Sequence, residues 1–450
     1  MTQRYFERTT YSAPLATYRV AIGLMLFISV SRFMLKGWVE VLYIKPLYFF
    51  SFYGFEFIKP LGNYTYLLFA ICGICALFIA IGLFYRISIV LLFCSFTYIE
   101  LMDRSTYLNH YYFMSLVLFV MIFLPAHRYF SVDAFRKPKL KADKIPSWTI
   151  DLLKVLTLIL YFYAGLAKLN SDWLVKAIPL KIWLPSKNDL PIIGGLLNYP
   201  LTALIFSWFG CIYDLTIVFF LWNKHTRPWA YLTVVIFHIS TAILFPIGMF
   251  PYVMIIAALI FFSPKFHYRI IGRLSKIFRL KRMITKEPVV FKYHPTTQRL
   301  LLAFFTIFLI IQMLMPFRYL LYPGELFWTE QGYRFSWRVM LMEKAGYAQF
   351  TIKDKNGKFA IANNNEFLTV LQEKMMSTQP DMILQYAHML KKHYEKKGFV
   401  SPQVYVDSYV ALNGRIGQAL VNPKVDLAKE ADSFLPKTWI LPLNDEIKGF

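Results

Sequence analysis

The chain has 450 residues, 57% hydrophobic and only 17% charged. Soluble globular chains run at about 45–50% apolar and about 25% charged, so an ordinary water-soluble protein is excluded, and 18% aromatics exclude disorder. The net charge of +23 would suit nucleic acid, but the basic residues crowd into loops between apolar blocks, as they do in membrane proteins.

A span needs about 20 mostly apolar residues. Nine candidates occur in chain order, at roughly 15–34, 64–84, 87–102, 111–125, 152–167, 201–222, 229–245, 251–263 and 299–316. Pro246, Gly248 and Pro251 break the pair at 229–263 into a tight turn. The chain therefore reads as a polytopic α-helical membrane protein with about nine transmembrane helices over residues 1–316. A C-terminal soluble α+β domain follows over 317–450. The first block, which lacks a short apolar core with a cleavage site, reads as a retained span. Cys72, Cys75, Cys94 and Cys211 all lie inside apolar blocks, so no exposed disulfide framework is expected. The Cys72–Cys75 spacing sits mid-span with no second ligand pair and reads as packing, and no metal is expected.

With nine spans, 21 Lys and Arg fall on one face and 8 on the other. Ten of the 21 lie between 264 and 299, including the run Arg273–Lys286, which reads as a cytoplasmic loop touching anionic lipid. The bias puts the N-terminus in the cytoplasm and the tail outside, in a bacterial inner membrane, or in the lumen for an endoplasmic reticulum protein. In the tail, residues 345–362 alternate around Asn356-Gly357, a type I′ hairpin signal. Helices are expected near 364–377 and 381–396, and QVYVDSYVAL reads as a strand ending at Asn413-Gly414.

Ionisable residues inside spans are functional hypotheses by default. Lys168 ends the fifth span in LYFYAGLAKLNSDWL. It is either a lysine reaching the interface or a buried amine serving as a general base. Ala164, Gly165 and Ala167 before it are small enough for close approach of another helix or a flat ligand. Asn109 and His110 open the fourth span and read, taken alone, as a helix cap and an interfacial histidine. His238 lies within the seventh span, where a lone histidine is more often bonded to a carbonyl. Asp214 needs a partner, and His238 or an arginine are both open. By topology Lys168, Asn109, His110 and His238 converge near the outer face, where Tyr319 and Trp328 follow the last span. No HExxH, GxSxG or P-loop is present.

At these residues the chain resembles the vitamin K-dependent gamma-carboxylase family. The ordered blocks are GLFYRISIVLL, DRSTYLNHYYF, HRYFSVDAF, YFYAGLAKLNSDW and FHISTAILFPIGMFPYVM, then FSWRVML, QVYVDSYVALNGR, NPKVDL and KTWILPL. They run from about residue 60 to 443, in the manner of a short bacterial member with an HTTM-like membrane domain. The resemblance implies a lyase that oxygenates reduced vitamin K, a menaquinol-type hydroquinone, to its epoxide with O2. The strong base so formed removes a γ-proton from a protein glutamate, and CO2 is captured to give γ-carboxyglutamate. It implies that Lys168 deprotonates the hydroquinone, that Asn109 and His110 position and polarise its oxygens, and that His238 lies near the site. The lipid bilayer and a glutamate-containing exported peptide or protein are the implied partners. Tyr319, Trp328, Tyr333 and Arg334 are the substrate-side candidates, with Tyr319 and Tyr333 standing where the family pattern carries histidines. Those departures bear on carboxylation rather than epoxidation. The rival readings are a quinol epoxidase without carboxylation and a non-enzymatic quinone-binding protein or transporter.

Overall fold

The computed structural model describes residues 6–279 and 287–449; Arg4 and the 280–286 part of the basic run lie outside the described residues. Each expected apolar block holds a helix: α1 (Ala13–Leu35), α2 (Thr65–Ile81), α3 (Tyr85–Met102), α4 (Asn109–Phe123), α5 (Trp148–Leu166), α6 (Pro200–Trp222), α7 (Arg227–Leu244) and α8 (Phe250–Ala258), with α9 (Pro264–Ile277) before α10 (Pro295–Leu314). A two-strand ribbon, β1 (Thr9–Tyr11) with β2 (Lys144–Pro146), ties the N-terminus to the segment before α5.

Against the nine spans expected, seven helices among the described residues are long and apolar enough to cross a bilayer. The α4 helix has 15 residues, about 22 Å at 1.5 Å each, against a hydrocarbon core of about 30 Å. The segment Phe250–Phe261 is bent by 117° from α9, and the count is eight if that pair is one span. The α9 stretch is helix where a loop was expected.

Small residues set the helix contacts, since lipid tails leave no hydrophobic drive between helices. A Cβ at Gly23 of α1 would lie 2.5 Å from the Ala80 nitrogen and 2.7 Å from the Ala76 oxygen of α2, so the two backbones touch. Arg19, fully buried in α1, donates to the last carbonyls of α2, at Ile79 (2.5 Å) and Ala80 (2.9 Å), which helix geometry leaves without partners.

The tail forms a four-stranded antiparallel sheet in the order β4-β3-β5-β6, from β3 (Lys344–Lys353), β4 (Phe359–Ile361), β5 (Gln403–Leu412) and β6 (Gln418–Ala419). Helices α11 (Val370–Met376) and α12 (Pro380–Lys396) cover one face. Period-two alternation sends Phe350, Ile352, Val404 and Val406 inward against Ile383, Ala387 and Leu390 of α12. Two expectations are corrected. The hairpin turns through five residues, 354–358, because the Asp354 carboxylate accepts from the N–H groups of Asn356 and Lys358 at 2.8 Å each; this loop replaces the type I′ turn. The helix expected at 364–377 starts at Val370, where Thr369 and Gln372 form a capping box.

One apolar cluster runs across the boundary between membrane region and tail, joining Trp173, Ala203, Cys211 and Leu244 to Phe327, Trp328, Leu341 and Phe350. In the other direction Trp337 inserts into the membrane core and stacks on Tyr112 at 4.9 Å. Polar locks close the seam. Asp103 accepts from Gln372 of α11 at 2.8 Å. Asp172 takes a two-pronged bond from Arg415 at 2.7 and 2.8 Å, and another from Asn413 at 2.8 Å. Asp381, in the first turn of α12, is held by Arg104 at 2.7 Å and Arg334 at 2.5 Å.

Burial would raise the Asp381 carboxyl, but the Arg334 and Arg104 guanidiniums outweigh it and hold it well below the usual carboxylate range. Its stabilisation is therefore present above the unfolded-state value of about 3.9 and is lost as pH falls from there toward the depressed folded-state value. Asp381→Asn leaves two arginines uncompensated and is expected to cost about 3 kcal/mol, read as a lower melting temperature at neutral pH. The same variant should flatten the loss of stability that the wild type shows below about pH 4.

Candidate active site

The site begins with a close helix crossing. A Cβ at Gly165 of α5 would lie 2.7 Å from the Leu215 nitrogen of α6, so here too backbone meets backbone. One turn on, that approach brings Lys168 against Asp214. The Lys168 Nζ donates to Asp214 Oδ2 at 2.7 Å and to the Ala164 carbonyl at 3.0 Å. Both side chains are buried, at 8 and 10% exposure. The ammonium lies 5.3 Å from the centre of the Trp173 ring, whose indole N–H donates to the Ser207 carbonyl of α6 at 2.8 Å. The open question of a partner for Asp214 is answered by Lys168 rather than by His238 or an arginine.

His238 of α7 bonds elsewhere: its Nε2 pairs with the Tyr161 hydroxyl at 2.8 Å, and that hydroxyl lies 3.4 Å from the hydroxyl of Tyr213. The other ring nitrogen, Nδ1, is buried and has no hydrogen-bond partner among the described residues. Tyr161 precedes Lys168 by seven residues, two turns on the same face, and Tyr213 adjoins Asp214. Neither tyrosine stood out in the sequence, although that spacing carried the signal.

These groups line a cavity of about 260 Å³ whose wall is otherwise mostly apolar, with Tyr161, Lys168, Asp214 and His238 as its ionisable lining. Val339 and Met340 of the tail close its top. Its rim includes Phe209 and Ile236, which are 48 and 57% exposed on the outer surfaces of α6 and α7. In a bilayer those surfaces meet acyl chains, so the cavity opens sideways to lipid between α6 and α7.

Asn109 and His110 do not line this cavity. The Asn109 amide donates to the Arg338 carbonyl at 2.9 Å and accepts from the Tyr107 hydroxyl at 3.0 Å, and that hydroxyl takes the Phe335 N–H at 2.8 Å. Asn109 thus seats the FSWRVML segment, which carries the cavity roof two residues on. His110 is buried, and its ring lies 5.9 Å from the Phe250 ring, which is in turn 5.7 Å from His238. The substrate-side candidates are engaged within the tail. The Trp328 indole is buried and donates to the Leu441 carbonyl at 2.7 Å. Arg334 is committed to Asp381, Tyr333 packs on Phe327 at 6.2 Å, and the Arg338 guanidinium lies over the Tyr319 ring at 4.7 Å.

Comparison with known families gives two matches in tandem. Residues 7–266 match the HTTM domain, and residues 297–446 match the lumenal domain of vitamin K-dependent gamma-carboxylase. No solved structure matches the chain.

The α5–α6 crossing carries a direct test. Gly165→Leu must push the helices apart at Leu215, so it is expected to lower stability by about 1–3 kcal/mol and to part Lys168 from Asp214. A thermal melt measures the first effect. A cysteine pair placed at 168 and 214, cross-linking in the parent and failing to do so once Gly165→Leu is added, measures the second.

Proposed function

Because the chain belongs to the vitamin K-dependent gamma-carboxylase family, we propose that it oxygenates a reduced menaquinol-type vitamin K drawn from the bilayer and carboxylates glutamate in an exported peptide. The observation that carries this reading is a buried lysine–aspartate pair in an apolar cavity open to lipid. No side-chain base is strong enough to take a glutamate γ-proton, so the driving force has to come from oxygenating a second molecule. Reduced vitamin K, when bound, supplies that: its oxidation by O2 to the epoxide yields the strong base, and CO2 traps the carbanion.

The residues present fit such a molecule. A volume of about 260 Å³ falls a little below the roughly 300–1,000 Å³ of pockets for drug-sized ligands, room for a fused bicyclic head but not for a polyprenyl tail. The opening between α6 and α7 lets that tail lie among acyl chains. Lys168 Nζ spends two bonds, on Asp214 and Ala164, and an amine has capacity for one more. In its neutral form Nζ presents its lone pair at that third position, takes the proton of a hydroxyl seated in the cavity and becomes the ammonium of the Lys168–Asp214 ion pair. His238 Nδ1, short of a partner, is suited to a second oxygen, with Tyr161 fixing its ring from behind. The apolar wall and the roof at Val339 and Met340 keep bulk water from the base. Asn109 contributes by holding that roof. On this reading the tail lies outside the cytoplasm, the side that the excess of basic residues on the other face favours, and an exported substrate meets it there.

A second reading, quinol epoxidation without carboxylation, is favoured by one observation. Trp328, Tyr333 and Arg334 are occupied within the tail's own structure.

The test supplies reduced menaquinone, O2, labelled bicarbonate and a glutamate-rich peptide to purified protein, scoring epoxide and fixed label separately. Lys168→Met alone strands a buried carboxylate and risks misfolding at about 3–5 kcal/mol. The double variant Lys168→Met/Asp214→Leu removes both charges and is expected to melt at or above the wild-type temperature while making no epoxide. Epoxide formation by that folded double variant rules the pair out as the base. Wild-type epoxide without fixed label selects the second reading, and neither product from folded wild type leaves a quinone-binding protein.

A further inference from the structure

The bend of 117° after Phe261 turns α9 away from the direction of the spans and lays it across the end of the bundle. Its buried residues are His267, Ile271, Gly272 and Ser275, and among them Ile271 packs on Ala13 and Ala16 of α1. At 100° per residue the rest of α9 divides into two further stripes. Lys265, Arg269, Arg273 and Lys276 are all exposed and fall within an arc of about 80° opposite the buried one. Between the two lie Phe266, Ile270, Leu274 and Ile277, only partly covered, with Ile277 70% exposed. Phe266 stacks on Phe262 at 4.2 Å, and Phe262 meets Tyr231 of α7 at 5.0 Å. The apolar stripe is thus continuous with the lipid-facing side of the spans. From 264 to 286 the chain has eight Lys and Arg and no Asp or Glu.

A soluble surface helix needs two faces, one to the core and one to water. This one has three, which is the arrangement a helix needs at a membrane boundary: core, acyl chains and headgroups. We infer that α9 is an interfacial helix whose Lys265–Arg269–Arg273–Lys276 stripe binds the headgroups of anionic phospholipids. Its apolar flank meets their acyl chains, and its long basic side chains reach up to the phosphates. The attraction is electrostatic and falls with salt. This inference is independent of the proposed enzymology.

The test reads lipids rather than activity. Full-length protein is reconstituted in bilayers of phosphatidylcholine doped with spin-labelled phosphatidylglycerol or spin-labelled phosphatidylcholine, and the protein-bound fraction of each label is measured. Wild type is expected to enrich the anionic label, and the enrichment should shrink at high salt. The Gln variant at 265, 269, 273 and 276 is expected to lose about threefold or more of that enrichment. All four positions are exposed, so folding is expected to survive, and unchanged melting checks it. A control with the same charge change in the tail, Gln at Lys355, Lys396, Lys397 and Lys424, should keep the enrichment. Equal enrichment in wild type and the α9 variant overturns the inference, as does an equal loss in the tail control. If the stripe instead captures a soluble polyanion such as heparin in pure phosphatidylcholine discs, with lipid selectivity unmoved, its partner is a soluble acidic molecule and the inference also fails.

Discussion

The arrangement turns on one interaction, the ion pair between Lys168 and Asp214 at 2.7 Å in a mostly apolar wall. Removing two charges from water costs several kcal/mol each, and their mutual attraction seldom does more than return that cost. A pair so placed is weak evidence for stability and stronger evidence for use. It exists because Gly165 has no side chain: the α6 backbone at Leu215 occupies the space a Cβ would need. Trp173, bonded to α6 through Ser207, covers the pair from the seam. The same short stretch then supplies Asp172, which anchors Arg415 and Asn413 of the tail. Thirteen residues, YFYAGLAKLNSDW, so hold Lys168, its cover and a docking point for the C-terminal domain.

The tail is not hung on the membrane region by a linker. Phe335, Trp337 and Met340 all have φ between 55° and 62°, a region that costs a non-glycine residue on the order of 1–2 kcal/mol. Such strain persists only where the surroundings over-determine it. Here they do: Tyr107 holds the Phe335 N–H, Asn109 holds the Arg338 carbonyl, and Trp337 is stacked in the membrane core. The strained segment ends at the cavity roof. Whatever loads the tail from outside is thereby connected by packed side chains to the chamber that faces lipid.

Much of this was legible in the sequence. Hydropathy located every main apolar helix, because a bilayer imposes length and composition together. The polar residues in those spans led to Lys168 and His238, which do share the cavity, and the small residues before Lys168 signalled the close crossing. What stayed hidden depends on three dimensions. Asp214 lies 46 residues from Lys168, and its partner is set by which helix crosses there, which no local pattern encodes. Convergence of depth grouped Asn109 and His110 with Lys168, but depth does not give azimuth, and Phe250 stands between His110 and His238. The turn at Asn356-Gly357 departs from its local signal because the Asp354 side chain, two residues upstream, sets a longer loop. Arg334 looked like a ligand for substrate, and only the fold shows that Asp381 takes it.

The central claim is that the cavity beside the Lys168–Asp214 pair holds a quinone head that enters from lipid between α6 and α7. A naphthoquinone with a photoreactive diazirine, equilibrated with the protein in nanodiscs and mapped by mass spectrometry after illumination, tests it most directly. The account predicts cross-links on α6 and α7, at Phe206, Phe209 and Phe237, that excess menaquinone abolishes. Cross-links confined to α4 around His110, with none on α6 or α7, would contradict it.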